Sequence, residues 1–222
     1  MIRVEKVDPP PNFDFEAQVS TPGQNALLEL IGDPQASIRT GRKRKVVANK
    51  IDEIPPNNLP SFWTKALPHL CKSYKRICSY LGLRIYPGTG AAEVDHYQPK
   101  EKYQHLAYSW DNFRLSCKLA NTFKNNFEDV IDPFEVQDGW LGINILTGHV
   151  TILVADVSLR DKLKDTIKRL RLNIEPTFVE LRLEYINDYI GISDGPHISF
   201  EKLERDAPFV AREIERQGKK RS

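Results

Sequence analysis

Residues 93–100 read EVDHYQPK, and residues 108–124 read YSWDNFRLSCKLANTFK. Over 91–125, short extended pieces alternate with turn residues, and the stretch finishes in a short helical piece. Four of its residues make a chemical set: Asp95, His96, Asn112 and Asn121. Asp95 offers a hard anionic oxygen that suits Mg²⁺ or Mn²⁺, and Asn121 can add a neutral carbonyl oxygen to the same ion. A neutral imidazole at His96, with an unperturbed pKa near ~6.5, can take a proton from water at neutral pH. Successive side chains of a strand face opposite ways, so bringing Asp95 and His96 to one centre requires a bend or a bulge. Asn112, two residues after the aromatic anchor Trp110, is placed to hold the imidazole or its loop. Such a kit cleaves phosphodiesters: the base makes the nucleophile, while the metal neutralises the phosphoryl oxygens and the leaving oxyanion. Each residue alone has a blander reading as a turn or a cap, and the order and spacing of the set carry the expectation.

Outward from this stretch, SFWTKALPHLCKSYKRICSYLGL (61–83) sets Trp63, Leu67, Leu70, Cys71, Tyr74, Ile77, Cys78 and Leu81 at three- and four-residue steps. That spacing predicts one amphipathic helix, kinked at Pro68 and ended by Gly82. Residues 1–60 are rich in Pro, Asn and charge and read as an extended arm with one short helix around NALLELIG. On the other side, GWLGINILTGHVTILVAD (139–156) predicts two strands around Thr147–Gly148. Helices are predicted over SLRDKLKDTIKRLRL and PTFVELRLEYINDYIG, and a charged helix over ISFEKLERDAPFVAREIERQGKKRS. No internal repeat or low-complexity segment is present.

A chain of 222 residues with 40% hydrophobic content is long enough to bury a core unaided. No run approaches the ~20 apolar residues that span a bilayer, and MIRVEKVDPPPNF lacks the apolar core of a signal peptide. Three cysteines make no disulfide framework, so a reducing, cytoplasmic setting is expected. The net charge of +2 excludes nothing, but its distribution is uneven. GRKRKVVANK packs Arg42, Lys43, Arg44, Lys45 and Lys50 together, and RDKLKDTIKRLR is a second basic run. Such runs can neutralise phosphates and release counterions, or can simply be solvated faces.

The pattern VDHYQPK…YSWDNFRLSCKLANTFK resembles the HNH (ββα-metal) endonucleases. In that family Asp/His–His closes a first strand, an Asn lies between the strands, and a last His or Asn sits on the helix. Here the match is Asp95–His96, then Asn112, then Asn121. One bacterial branch also shares Pro99 and Lys100 after the His, Trp110 before the middle Asn, and Lys124 three residues after the last Asn. Agreement continues through MIRVEK, the DPF at 132–134 and TIKRLRLN at 166–173, so the resemblance covers roughly residues 60–190 and, loosely, the N-terminus. That branch includes the HNH subunit of Septu-type anti-phage systems, also found with some retrons, which works beside an ATPase.

The resemblance implies an α+β fold: a ββα-metal core at about 91–126 within a nuclease domain over 61–222, surrounding helices, and an extended N-terminal arm over 1–60. It implies an endonuclease dependent on Mg²⁺ or Mn²⁺ that hydrolyses DNA, with DNA and an ATPase subunit as partners in bacterial antiviral defence. His96 is then the general base, Asn112 its positioner, and Asp95 and Asn121 the metal ligands. Lys100, Lys124, Arg42, Lys43, Arg44 and Lys45 become the nucleic-acid contacts. The alternative is a DNA-binding or assembly subunit whose nuclease site is vestigial. Relatives in this branch also carry two Cys-x-x-Cys knuckles around a structural zinc. Here Cys78 and Cys117 remain, while Leu81 and Ala120 take the partner positions. Two thiolates leave a four-ligand tetrahedral shell open, so zinc is expected to be replaced by apolar packing.

Overall fold

A computed structural model describes residues 1–37, 43–191 and 197–221. Among the described residues there are seven α-helices and two two-stranded antiparallel sheets, an α+β arrangement. No described helix is long and apolar enough to cross a membrane.

The first sheet pairs β1 (Ala92–His96) with β2 (Phe113–Cys117), and helix α3 (Lys118–Lys124) follows directly. The register runs without a bulge from Ala92 opposite Cys117 to His96 opposite Phe113. Strand β2 is buried on both faces. Phe113 and Leu115 fill the core, each contributing about 1.5–3 kcal/mol through burial. On the opposite face Arg114 is also buried, and its charge is met by a two-pronged pair with Asp132. Phe134 lies 3.6 Å from the Arg114 guanidinium. The DPF stretch therefore serves as the lock on the back of β2.

The chain before β1 departs from the single helix that its spacing predicts. A 3₁₀ turn over Phe62–Ala66 leads into α2 (Leu67–Ser73), and Pro68 sits in the first turn of α2 rather than at a kink. There the missing N–H costs nothing. Lys75 and Arg76 then take left-handed backbone conformations and end the helix. Cys78–Leu83 closes as a tight turn, with the Cys78 amide donating to the Leu83 carbonyl at 2.9 Å and the Gly82 amide to the Cys78 carbonyl at 2.9 Å. Gly82 supplies the positive φ of 63° that this turn requires. Residues 77–83 thus share a helical pattern of apolar side chains without being a helix.

The N-terminal stretch is more structured than its Pro-rich composition suggests. A π turn over Glu16–Ser20 continues into α1 (Thr21–Ile31), which Gly32 ends in the left-handed conformation. Met1, Phe13, Val19, Leu27, Leu30, Ile54 and Leu59 are buried in the same core as the first sheet. A Cβ on Gly23 would stand 2.1 Å from the Tyr108 ring, so glycine is what lets α1 lie against the segment before β2.

The second sheet, β3 (Leu141–Ile143) with β4 (Val150–Ile152), lies where the two predicted strands do. Helices α4 (Val157–Arg169) and α5 (Pro176–Ile190) follow, α5 opened by Pro176 and closed by Gly191. The single C-terminal helix expected from the sequence is instead two, α6 (Phe200–Asp206) and α7 (Pro208–Arg216), because Pro208 starts a new helix.

Candidate active site

At the end of β1 a cavity of about 500 Å³ opens between the first sheet, α3 and the 3₁₀ turn at Phe62–Ala66. Glu93, Asp95, His96, Lys100, Glu101 and Asn121 line it, with Trp63 forming part of its wall. Asp95, His96 and Asn121 therefore line the same cavity. No bulge interrupts β1, so Asp95 sits beside Arg114 and His96 beside Phe113 on alternate faces of the sheet, and both reach the cavity at the strand's end.

His96 is held on three sides. Trp63 and Phe113 stand edge-on to the imidazole at 5.0 and 5.3 Å between ring centres. Nε2 is 2.9 Å from the Ala107 carbonyl. A carbonyl only accepts, so Nε2 carries the proton and Nδ1 presents the lone pair. Burial pushes the His96 pKa down to about 4, with the Ala107 bond opposing that shift. The ring is thus neutral throughout the physiological range.

This has a consequence for stability in the absence of divalent ions. The folded pKa lies below the unfolded value of ~6.5, so the folded state binds fewer protons than the unfolded one between the two. His96 costs nothing at about pH 8, and its penalty grows as pH falls toward about 4. Between about pH 8 and pH 5 the wild type is expected to lose about 2 kcal/mol more than His96→Ala, measured by urea unfolding in EDTA. Parallel pH profiles for the two proteins would contradict a neutral buried imidazole.

Asn112 does not touch the imidazole. Its Oδ1 accepts from the Gln98 amide at 2.7 Å, and its Nδ2 donates to the Gln98 carbonyl at 3.0 Å and the Leu106 carbonyl at 3.3 Å. It therefore ties the chain leaving His96 to the segment just before Ala107, whose carbonyl orients the ring. Of the two roles the sequence allows it, it performs the second, holding the loop.

Asp95 is a buried part of the cavity lining. Tyr80 donates its hydroxyl to Oδ2, and the Lys124 ammonium lies 3.5 Å from Oδ1. Burial raises the Asp95 pKa, and Lys124 and Tyr80 act against that rise. Asn121 donates Nδ2 to Glu93 Oε2 at 2.7 Å, which turns its carbonyl oxygen to the other side. Glu93 and Asp95, two apart on β1, share a strand face. Glu93 was missed in the sequence, although the period of two from Asp95 points to it.

Asp95, Asn121 and Glu93 bring hard oxygen donors, the kind a divalent ion takes, to the lining of one open cavity. Among the described residues no three His, Cys, Asp or Glu side chains are grouped to hold a metal alone. A bound ion would therefore rely on the Asn121 carbonyl and on water, which suits Mg²⁺.

The basic residues divide. Lys100 lines the cavity mouth, half-buried, with Nζ 2.7 Å from Glu101. Lys43 and Lys45 are exposed. Arg44 pairs with Glu29 at 2.7 Å and lies 5.9 Å from the Phe62 ring, next to the cavity wall at Trp63. Arg42 lies outside the described residues. Lys124 corrects its expected role as a phosphate contact. It is fully buried, and Nζ donates to the His96 and Tyr97 carbonyls, both at 2.7 Å. Its charge holds the end of β1 from below and offers nothing to a ligand.

Cys78 and Cys117 lie together, with the Cys117 amide 3.5 Å from Cys78 Sγ. Burial acts to raise the Cys78 pKa, but hydrogen bonds from the Cys117 thiol and amide outweigh it and lower the value. Leu81 and Ala120 are buried at the two remaining knuckle positions. The side chains present do not fit a four-ligand zinc site.

Comparison with known proteins gives no match to a family model, to a curated protein or to a solved structure.

Proposed function

We propose that the chain is a divalent-metal-dependent endonuclease that hydrolyses phosphodiester bonds in DNA. The observation that carries this reading is the orientation of His96: Nε2 is committed to the Ala107 carbonyl, and the basic Nδ1 belongs to a ring lining the same cavity as Asp95 and Asn121. Asp95 and Asn121, with Glu93 beside them, would hold Mg²⁺ or Mn²⁺. When bound, such an ion supplies positive charge against the phosphoryl oxygens and the leaving oxygen.

The remaining steps fall to the chain's own residues. Lys100 meets the phosphate at the cavity mouth, and the exposed Lys43 and Lys45 draw the strand toward it. His96 Nδ1 takes the proton of the attacking water as its oxygen bonds to phosphorus. The opposite P–O bond breaks, and solvent protonates the departing oxygen. Asn112 keeps the loop that sets the ring. On the resemblance alone, the reading extends to an effector subunit beside an ATPase in anti-phage defence, and co-purification with such a partner tests that extension.

Direct titration with Mn²⁺, followed by electron paramagnetic resonance, tests the metal site without any substrate. The wild type is expected to bind, and Asp95→Ala to lose most of that binding. Equal binding by the two proteins would remove Asp95 from the ligand set and favour a nucleic-acid-binding subunit with a vestigial site.

A further inference from the structure

We propose that Tyr80 is a positioning residue for the candidate metal site: its hydroxyl is a fixed donor to Oδ2 that sets the orientation of the Asp95 carboxylate in the cavity lining. This rests on the reading that Asp95 and Asn121 hold a divalent ion. Tyr80 is completely buried, and a buried phenol needs a partner for its O–H. Buried Tyr108 and half-buried Tyr97 give their hydroxyls to main-chain carbonyls, of Pro60 and Val130. Tyr80 donates instead to a carboxylate that lines the cavity.

The placement of that hydroxyl does not depend on Asp95. Tyr80 sits in the Cys78–Leu83 turn, which its own main chain pins to β2. The Ser79 amide donates to the Leu115 carbonyl at 2.8 Å, the Cys78 amide to the Leu83 carbonyl at 2.9 Å, and the Cys117 amide to Cys78 Sγ at 3.5 Å. The donor is fixed by the turn, and the acceptor is the side chain that must adapt.

On the other side of Asp95, Lys124 is already committed to the His96 and Tyr97 carbonyls, and its 3.5 Å approach to Oδ1 is a loose one. Without Tyr80 that loose contact would leave the carboxylate free to rotate. Groups that orient a metal-ligating carboxylate typically change metal affinity about 10–100-fold when removed. The turn that would carry a zinc ligand at Leu81 thus acts on the catalytic centre through its neighbour, Tyr80.

Tyr80→Phe keeps the ring and removes only the hydroxyl. Its Mn²⁺ affinity, by direct titration, is expected to fall about 10-fold or more. The Mn²⁺ concentration for half-maximal cleavage should rise in step, while the rate at saturating Mn²⁺ changes far less. Tyr74→Phe, which loses a half-buried hydroxyl bonded to the Val7 amide at 3.4 Å, controls for general loosening and should leave the titration unmoved. Wild-type affinity in Tyr80→Phe, together with lost binding in Asp95→Ala, would overturn the positioning role alone. Unchanged binding in Asp95→Ala would overturn the metal site itself and this role with it.

Discussion

His96→Ala is expected to cut metal-dependent cleavage by about 10²–10⁴-fold while leaving nucleic-acid binding near the wild-type level. The size follows from what the side chain does. Among the described residues His96 is the only imidazole lining the cavity, and its ring is fixed by the Ala107 carbonyl and by the two aromatic edges of Trp63 and Phe113. His105, His149 and His197 are exposed, and His69 stacks on Phe13 at 3.8 Å between ring centres, so none is placed to substitute. Removing the imidazole also leaves the Ala107 carbonyl without its donor, and some loss of stability should accompany the loss of rate. The two effects separate by temperature: a catalytic loss persists well below the melting transition. Cleavage within about fivefold of wild type would take the base role away from His96.

The second large effect concerns stability. Lys124→Met is expected to destabilise the fold by about 3–5 kcal/mol. Methionine keeps the length and the apolar stem but removes the charge. That leaves the His96 and Tyr97 carbonyls without a donor and the buried Asp95 without its cation. Burial lowers the Lys124 pKa and Asp95 opposes that shift, which is how an ammonium persists in so enclosed a position. The measure is the urea midpoint at unchanged m-value. Adding Asp95→Asn to Lys124→Met should recover part of the loss, since the uncompensated carboxylate is then gone, and a double-mutant cycle reads that coupling. A loss below about 1 kcal/mol would mean that the ammonium is not the support for the end of β1.

Which parts of the site were legible in the sequence follows from how each residue acts. Asp95, His96 and Asn121 were readable as a set because the types and order of their functional groups are written in the sequence, and the structure brings all three to one cavity. Asn112 was readable as a loop holder, but its partners were not, since it bonds main-chain atoms of Gln98 and Leu106 that no side-chain pattern marks. Lys124 was misread because a lysine beside an expected metal centre suggests phosphate. Only the packing of α3 beneath β1 shows that its ammonium points inward. Tyr80 was invisible because its role depends on a tight turn, and the turn was hidden by apolar steps that mimic a helix from Trp63 to Leu81. The left-handed Lys75 and Arg76, which end α2, carry no signal of their own, as neither residue favours that conformation. Where the pattern was local and regular, as in α4, α5 and the β3–β4 pair, sequence and structure agree. The one C-terminal helix became two because Pro208 outweighed the amphipathic pattern on either side.

The most direct test of the central claim is supercoiled plasmid incubated with wild type and with His96→Ala, each in Mg²⁺, Mn²⁺ or EDTA. The account predicts nicked or linear product from the wild type with either metal, none in EDTA, and almost none from the variant under any condition. Cleavage that survives EDTA, or that His96→Ala performs as well as the wild type, would contradict it.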